Sequence, residues 1–189
     1  STGAITSTGP LTLPAAPPAS APTPAVTAEP LAGDPPAGFF RPQGSLGIVW
    51  EANPAIQQAV GWARQETPAV VSGAYQRFEN GVMVWRQDTG QIFAFLNDGA
   101  WRSFTDTFVE GDVESDPRYA PPGGKQQPMR GFGKVWREHA DLRAQIGWAL
   151  AKEEAQPAEV HPFERGQMLR YGGLLFTVTG VDTDSGRWR

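Results

Sequence analysis

From Phe39 onward, short apolar runs alternate with turn signals. The runs Ala74 to Phe78, Val82 to Arg86, Gln91 to Leu96 and Ala100 to Phe104 are separated by Glu-Asn-Gly, Gln-Asp-Thr-Gly and Asn-Asp-Gly. Asn-Gly and Asp-Gly between such runs predict tight hairpins, because both central residues of a type I′ turn need positive φ. The stretch therefore predicts an antiparallel meander. Ahead of it, Asn53-Pro54 supplies an N-cap followed by proline at the first helical position. Ile56 and Val60 share one face, and Gly61 stands where a left-handed C-terminal cap belongs, which predicts a short helix over 54–60. The same grammar returns later. His139, Leu142, Ile146 and Gly147 predict a helix over 140–146, followed by strands near Val160 to Glu164, Gln167 to Tyr171 and Leu174 to Thr179. Gly172-Gly173 supplies a tight turn, and Arg187 onward is expected to close that second sheet.

This recurrence extends to individual residues. Leu46-Gly47-Ile48-Val49-Trp50 returns as Phe132-Gly133-Lys134-Val135-Trp136, and Gly61-Trp62-Ala63 returns as Gly147-Trp148-Ala149, both at an offset of 86. Phe78-Glu79-Asn80-Gly81 matches Phe163-Glu164-Arg165-Gly166 at offset 85, and Gly99-Ala100-Trp101 matches Gly186-Arg187-Trp188 at offset 87. A fixed period with one-residue drift is the signature of an internal repeat. The expected fold class is α+β, mainly antiparallel β: a tandem repeat of a short helix plus a three- to four-stranded meander, preceded by an extended proline-rich arm. The expected boundaries are an arm at 1–38, a first unit at 39–110, an acidic Pro/Gly linker at 111–128 and a second unit at 129–189. Units this small bury too little alone, so the two are expected to pack on each other.

Composition separates the arm from the rest. Ten of the 18 prolines lie in the first 42 residues, and residues 1–38 contain no aromatic and only Glu29 and Asp34 as charges. Such a segment has too little apolar surface to offset its ordering entropy and favours polyproline II or coil. At about 3.1 Å per residue it would span roughly 120 Å. It acts either as a spacer or as a docking arm for a protein partner or a neighbouring copy, with Leu11, Leu13, Pro14, Pro17, Pro18, Val26 and Leu31 as its apolar contacts. Its Ser and Thr residues also suit an O-glycosylated stalk. The start at Ser1 is expected either after removal of a leader or in an excised segment.

The net charge of −4 offers no basic excess for nucleic acid, and no apolar stretch is long enough for a membrane helix. Neither nucleic-acid binding nor membrane insertion is expected. Zero cysteines remove disulfides and thiolate sites, and two histidines leave little for metal chemistry. No cofactor is expected.

The motif residues resemble the LGFP repeat family of secreted and cell-envelope bacterial proteins. The likeness lies in Val60-Gly61-Trp62-Ala63 with Glu66, Tyr75-Gln76-Arg77-Phe78-Glu79-Asn80-Gly81, Trp85, Thr89-Gly90 and Gly99-Ala100-Trp101. In the second unit it lies in Ile146-Gly147-Trp148-Ala149, Phe163-Glu164-Arg165-Gly166 and Gly186-Arg187-Trp188. The resemblance implies a non-catalytic module at the bacterial cell surface, with a role in attachment to the cell wall, and supplies no catalytic residues.

Trp50, Trp62 and Trp101, with their counterparts Trp136, Trp148 and Trp188, are expected in the core, where small sheets depend on large aromatic burial. Trp85 faces Arg170 in the alignment of the units, and Tyr75 faces Val160, so no shared packing role demands these aromatics. Two roles fit them. They either fill one copy's core, or they stack on a sugar while Arg77 and Arg86 bind its hydroxyls. Glu79 and Glu164 would need to converge on one cleft to act as a catalytic carboxylate pair, and each belongs to its own unit. The sequence therefore points to a non-catalytic extracellular or cell-surface protein. It is structural or adhesive and assembled through its arm, or alternatively a binding module for an envelope glycan.

Overall fold

The computed structural model describes residues 28–180 and 183–188. Helix α1 (Gly44–Glu51) and helix α2 (Pro54–Val60) precede strands β1 (Ala69–Val71), β2 (Gly73–Phe78), β3 (Gly81–Arg86), β4 (Gln91–Leu96) and β5 (Ala100–Thr105). After a long loop come α3 (Arg130–Glu138), α4 (Ala140–Ile146), β6 (Glu154–Ala155), β7 (Ala158–Pro162), β8 (Gly166–Tyr171), β9 (Leu174–Thr179) and β10 (Ser185–Arg187). The chain is thus α+β, with antiparallel sheets and four short helices. The helices over 54–60 and 140–146 and the seven longer strands lie within two residues of their sequence expectations.

The pairing is where expectation and structure part. The strands form a six-stranded sheet, β10-β5-β4-β3-β2-β6, and a four-stranded sheet, β1-β7-β8-β9, rather than one meander per half. β1 crosses to pair with β7, β6 crosses back to pair with β2, and β10 pairs with β5. The carboxy-terminal segment was expected to close the second sheet, but it extends the first; Trp188 bridges back to Val178, and Thr179 Oγ1 donates to the Arg187 carbonyl at 3.2 Å.

The helices also cross over. Alternation along each strand gives both sheets two apolar faces, and each face needs a cover. One face of β2 to β4, with Phe78, Met83, Ile92 and Leu96, packs under Phe132, Trp136, Leu142 and Ile146 of α3 and α4. The opposite face, with Val84, Phe93 and Phe95, meets Val160, Leu169 and Phe176 of the four-stranded sheet. The Phe95 and Phe176 rings stack at 4.0 Å. Beyond that sheet, Phe163 and Met168 pack under Leu46, Trp50 and Val60 of α1 and α2. The layers run helix pair, sheet, sheet, helix pair, and each helix pair covers the sheet whose long strands come from the other half.

Matched contacts hold the two ends. Trp50 Nε1 donates to the Gly61 carbonyl at 3.0 Å, and Trp136 Nε1 donates to that of Gly147 at 2.8 Å. Glu164 accepts from the Trp62 amide at 3.4 Å, and Glu79 accepts from the Trp148 amide at 2.8 Å. Gly61 and Gly147 have φ of +79° and +77°, and a Cβ on either would run into the glutamate opposite. Glu79 and Glu164 therefore each hold the amide that follows a helix of the other half of the chain.

Trp50, Trp62, Trp101 and Trp136 are buried, while Trp148 and Trp188 are partly covered. Neither expected N-cap side chain bonds to its helix: Asn53 Nδ2 donates back to the Val49 carbonyl, and the His139 ring packs on Phe104 at 4.6 Å. The loop after β5 is fastened to α3, through a Lys134–Asp112 ion pair at 2.9 Å and Arg137 bonds to the Val113 and Glu114 carbonyls. Of the arm positions, Leu31 is described and the other six lie outside the described residues. The Leu31 amide donates to Gln57 Oε1 at 2.8 Å, Gln58 Nε2 donates to the Glu29 carbonyl at 2.9 Å, and the Leu31 side chain packs on α2's core.

Candidate functional site

The four residues expected to form one ligand surface do not do so. In the β2–β3 register Trp85 opposes Ala74, whereas Tyr75 opposes Val84, so the two aromatics lie on opposite faces of the sheet. Tyr75 faces the four-stranded sheet, and its hydroxyl donates to Glu154 at 2.9 Å. Arg77 shares that face and is exposed. Arg86, a candidate to reach sugar hydroxyls, is only 7% exposed: its guanidinium grips Asp88 at 2.6 and 3.1 Å and donates to Gln167 Oε1 at 2.7 Å, tying the two sheets together. That guanidinium also holds the Asp88 carboxyl below its usual range.

Trp85 alone faces α3, and there the structure opens. It lines a cavity of about 230 Å³ whose apolar wall is Ile92, Phe108 and Phe132 and whose polar rim is Asp106, Arg130 and Glu153. A second cavity, of about 360 Å³, shares Arg130 and Glu153 and continues past Gln76, Met129, Lys152 and Ala155. The two chambers share Arg130 and Glu153, lie between the six-stranded sheet and the start of α3, and together are the candidate groove. Two polar atoms in its lining side chains are buried without a partner, Trp85 Nε1 and Gln76 Oε1. Gln76 is 3% exposed, and its amide nitrogen is engaged by the Ala151 carbonyl at 2.9 Å. A buried acceptor left without a donor costs about 1–3 kcal/mol, which a ligand donor would recover.

Three segments set the rim. Asp106 follows β5 and accepts from the Phe108 amide at 3.0 Å; its carboxylate lies so close to Gly131, in the first turn of α3, that a Cβ there would sit 2.6 Å from Oδ1. Desolvation at the groove wall pushes the Glu153 carboxyl above its usual range, with Arg130 opposing the shift and Asp106 adding to it. Arg130 is the one non-glycine residue with positive φ among the described residues, at +50°. Its counterpart in the first half is Gly44, at φ +72°. The helix start demands a left-handed residue in both halves, and only here is the position given to a side chain that adopts it at a cost of about 1–2 kcal/mol. Backbone strain of this kind concentrates at functional positions.

The equivalent place in the other half is built differently. Where Trp85 stands here, Arg170 stands there, paired with Glu159 at 3.7 Å, and Glu159 also accepts from Ser45 at the start of α1. That place has a cavity of its own, of about 250 Å³, lined by Glu159 and Arg170 and without an indole. Asp106, Arg130 and Glu153 were not singled out by sequence. Arg130 was accessible through the offset of 86 that aligns it with Gly44, whereas Asp106 and Glu153 carry no local signal. Among the described residues no cluster of three or more His, Asp or Glu side chains has metal-binding geometry, and no helix is long and apolar enough to cross a membrane.

Comparisons with protein-family models, with curated proteins and with solved structures found no match.

Proposed function

We propose that the chain is a non-catalytic glycan-binding module of a bacterial cell-surface or secreted protein, built from two diverged copies of an LGFP-like unit, with the groove beside α3 as its ligand site. The observation that carries this reading is the groove itself: an indole and an apolar wall beside carboxylates, a guanidinium and a buried amide oxygen without a donor. Sugars present apolar ring faces and rings of hydroxyls, and such mixed lining matches both. The matched tryptophans, glycines and glutamates at the two ends support the duplication. Retention on purified bacterial cell-wall polysaccharide tests the function. Trp85→Ala should reduce retention at least tenfold, about 1.4 kcal/mol, with its fold intact by near-ultraviolet dichroism. Equal retention of the two proteins, or none by either, defeats the reading.

A second reading has its own support. Residues 29–31 are bonded to α2, so the arm leaves the body from a fixed base rather than from a loose end. This suits an arm that docks on a protein partner or a neighbouring copy, making the protein a structural or adhesive component of a surface assembly. Deleting residues 1–28 should then release the body from that assembly, and an unchanged assembly would refute it.

A further inference from the structure

The two chambers of the groove differ in chemistry, and the difference selects among sugars. This step rests on the glycan reading above. The Trp85 chamber has an aromatic wall with carboxylates on its rim, features that any hexose satisfies. The Gln76 chamber is more restrictive. Its buried acceptor, Gln76 Oε1, needs a donor. Glu153, Arg130, Lys152, Gln126 and Gln127 line the same chamber with the apolar groups of Met129 and Ala155.

An anionic substituent would meet Glu153 and the Gln76 oxygen, both acceptors. An ammonium group would meet Arg130 and Lys152. A secondary amide serves an acceptor and a cation together: its N–H donates to Gln76 Oε1, its carbonyl accepts from Lys152 or Arg130, and its alkyl end rests on Met129 and Ala155. We infer that the groove binds a glycan carrying an N-acylated amino sugar, with the sugar ring in the Trp85 chamber and the acylamido group in the Gln76 chamber.

Two commercially pure tetrasaccharides isolate this group: the β-1,4-linked tetramer of N-acetylglucosamine and the β-1,4-linked tetramer of glucose, which share linkage and ring. Calorimetric titration of the full chain with each is expected to give at least tenfold tighter binding of the acetylated tetramer. Gln76→Met, which keeps the volume and removes the acceptor, is expected to narrow that ratio toward one. Equal affinity of the wild-type chain for both sugars, or preference for the glucose tetramer, overturns the inference while leaving a glycan-binding groove in place. Failure to bind either tetramer also overturns it, and together with failed retention on polysaccharide removes the glycan reading as well.

Discussion

Leu142 lies on α4 in the second half of the chain, is fully buried, and packs on Met83, Ile92 and Leu96 of the first. Truncation to alanine removes three carbons from a site with no solvent opening, the circumstance in which Leu→Ala costs about 2–5 kcal/mol. A central value of about 3 kcal/mol is a large part of the roughly 5–15 kcal/mol that holds a domain together. At roughly 2–4 °C per kcal/mol for a chain of this size, the melting temperature should fall by roughly 6–12 °C. The location of the damage is more telling than its size. Native-state hydrogen exchange of Leu142→Ala should show added opening in β3 and β4, some 50 residues upstream, and not in β8 and β9, which follow the mutation in sequence. Leu46→Ala on α1 should give the mirror result, opening β8 and β9 and sparing β3 and β4. If each substitution loosens the sheet of its own half, the crossed packing of helices and sheets is wrong.

Two further outcomes follow from the seams. Gly147→Ala places a methyl 2.7 Å from Glu79 Oε2 at a backbone φ of +77°, so it should cost about 1–3 kcal/mol in urea unfolding and release Glu79 from the Trp148 amide; an unchanged midpoint would contradict it. His161 is buried, with Nε2 at 2.8 Å from the Gln65 carbonyl and Nδ1 unpartnered, and burial holds its pKa below 6.5. The unfolded chain takes up a proton below about pH 6.5 that the folded chain does not. Stability should therefore be unaffected by His161 above that value and decline as the pH falls below it, by at most about 1.4 kcal/mol per pH unit, flattening once the folded-state pKa is passed. Urea midpoints between pH 7 and pH 5 check this, and an equal decline in His161→Gln, which cannot titrate, would refute it.

Local chemistry was legible in the sequence and long-range pairing was not. The Asn53-Pro54 start and Gly61 stop marked α2, and the Asn-Gly and Asp-Gly turns marked the hairpins, because each is a conformational demand made within a few residues. Helices α1 and α3 were missed. Leu46-Gly47-Ile48-Val49-Trp50 mixes glycine with β-branched residues, which reads as anything but a helix; the glycine is there because any Cβ on Gly47, or on its counterpart Gly133, would strike the carbonyl of Pro42 or Pro128. The exchange of β1 and β6 between halves left no trace, since strands of three and two residues carry too little pattern to show which edge they join. For the site, the mismatch of Trp85 with Arg170 singled out the tryptophan that lines the cavity beside α3. Its grouping with Tyr75 and Arg86 failed on strand parity, for Trp85 opposes Ala74 while Tyr75 opposes Val84.

Trp85, with its unpartnered indole N–H, is the centre of the proposed site. In a nitrogen–proton correlation spectrum of the full chain, titration with cell-wall polysaccharide fragments should move the Trp85 Nε1–H resonance and leave those of Trp50 and Trp136 in place, since these are bonded to the Gly61 and Gly147 carbonyls. A Trp85 resonance that stays fixed at saturating ligand, or perturbations confined to the other indoles, would contradict it.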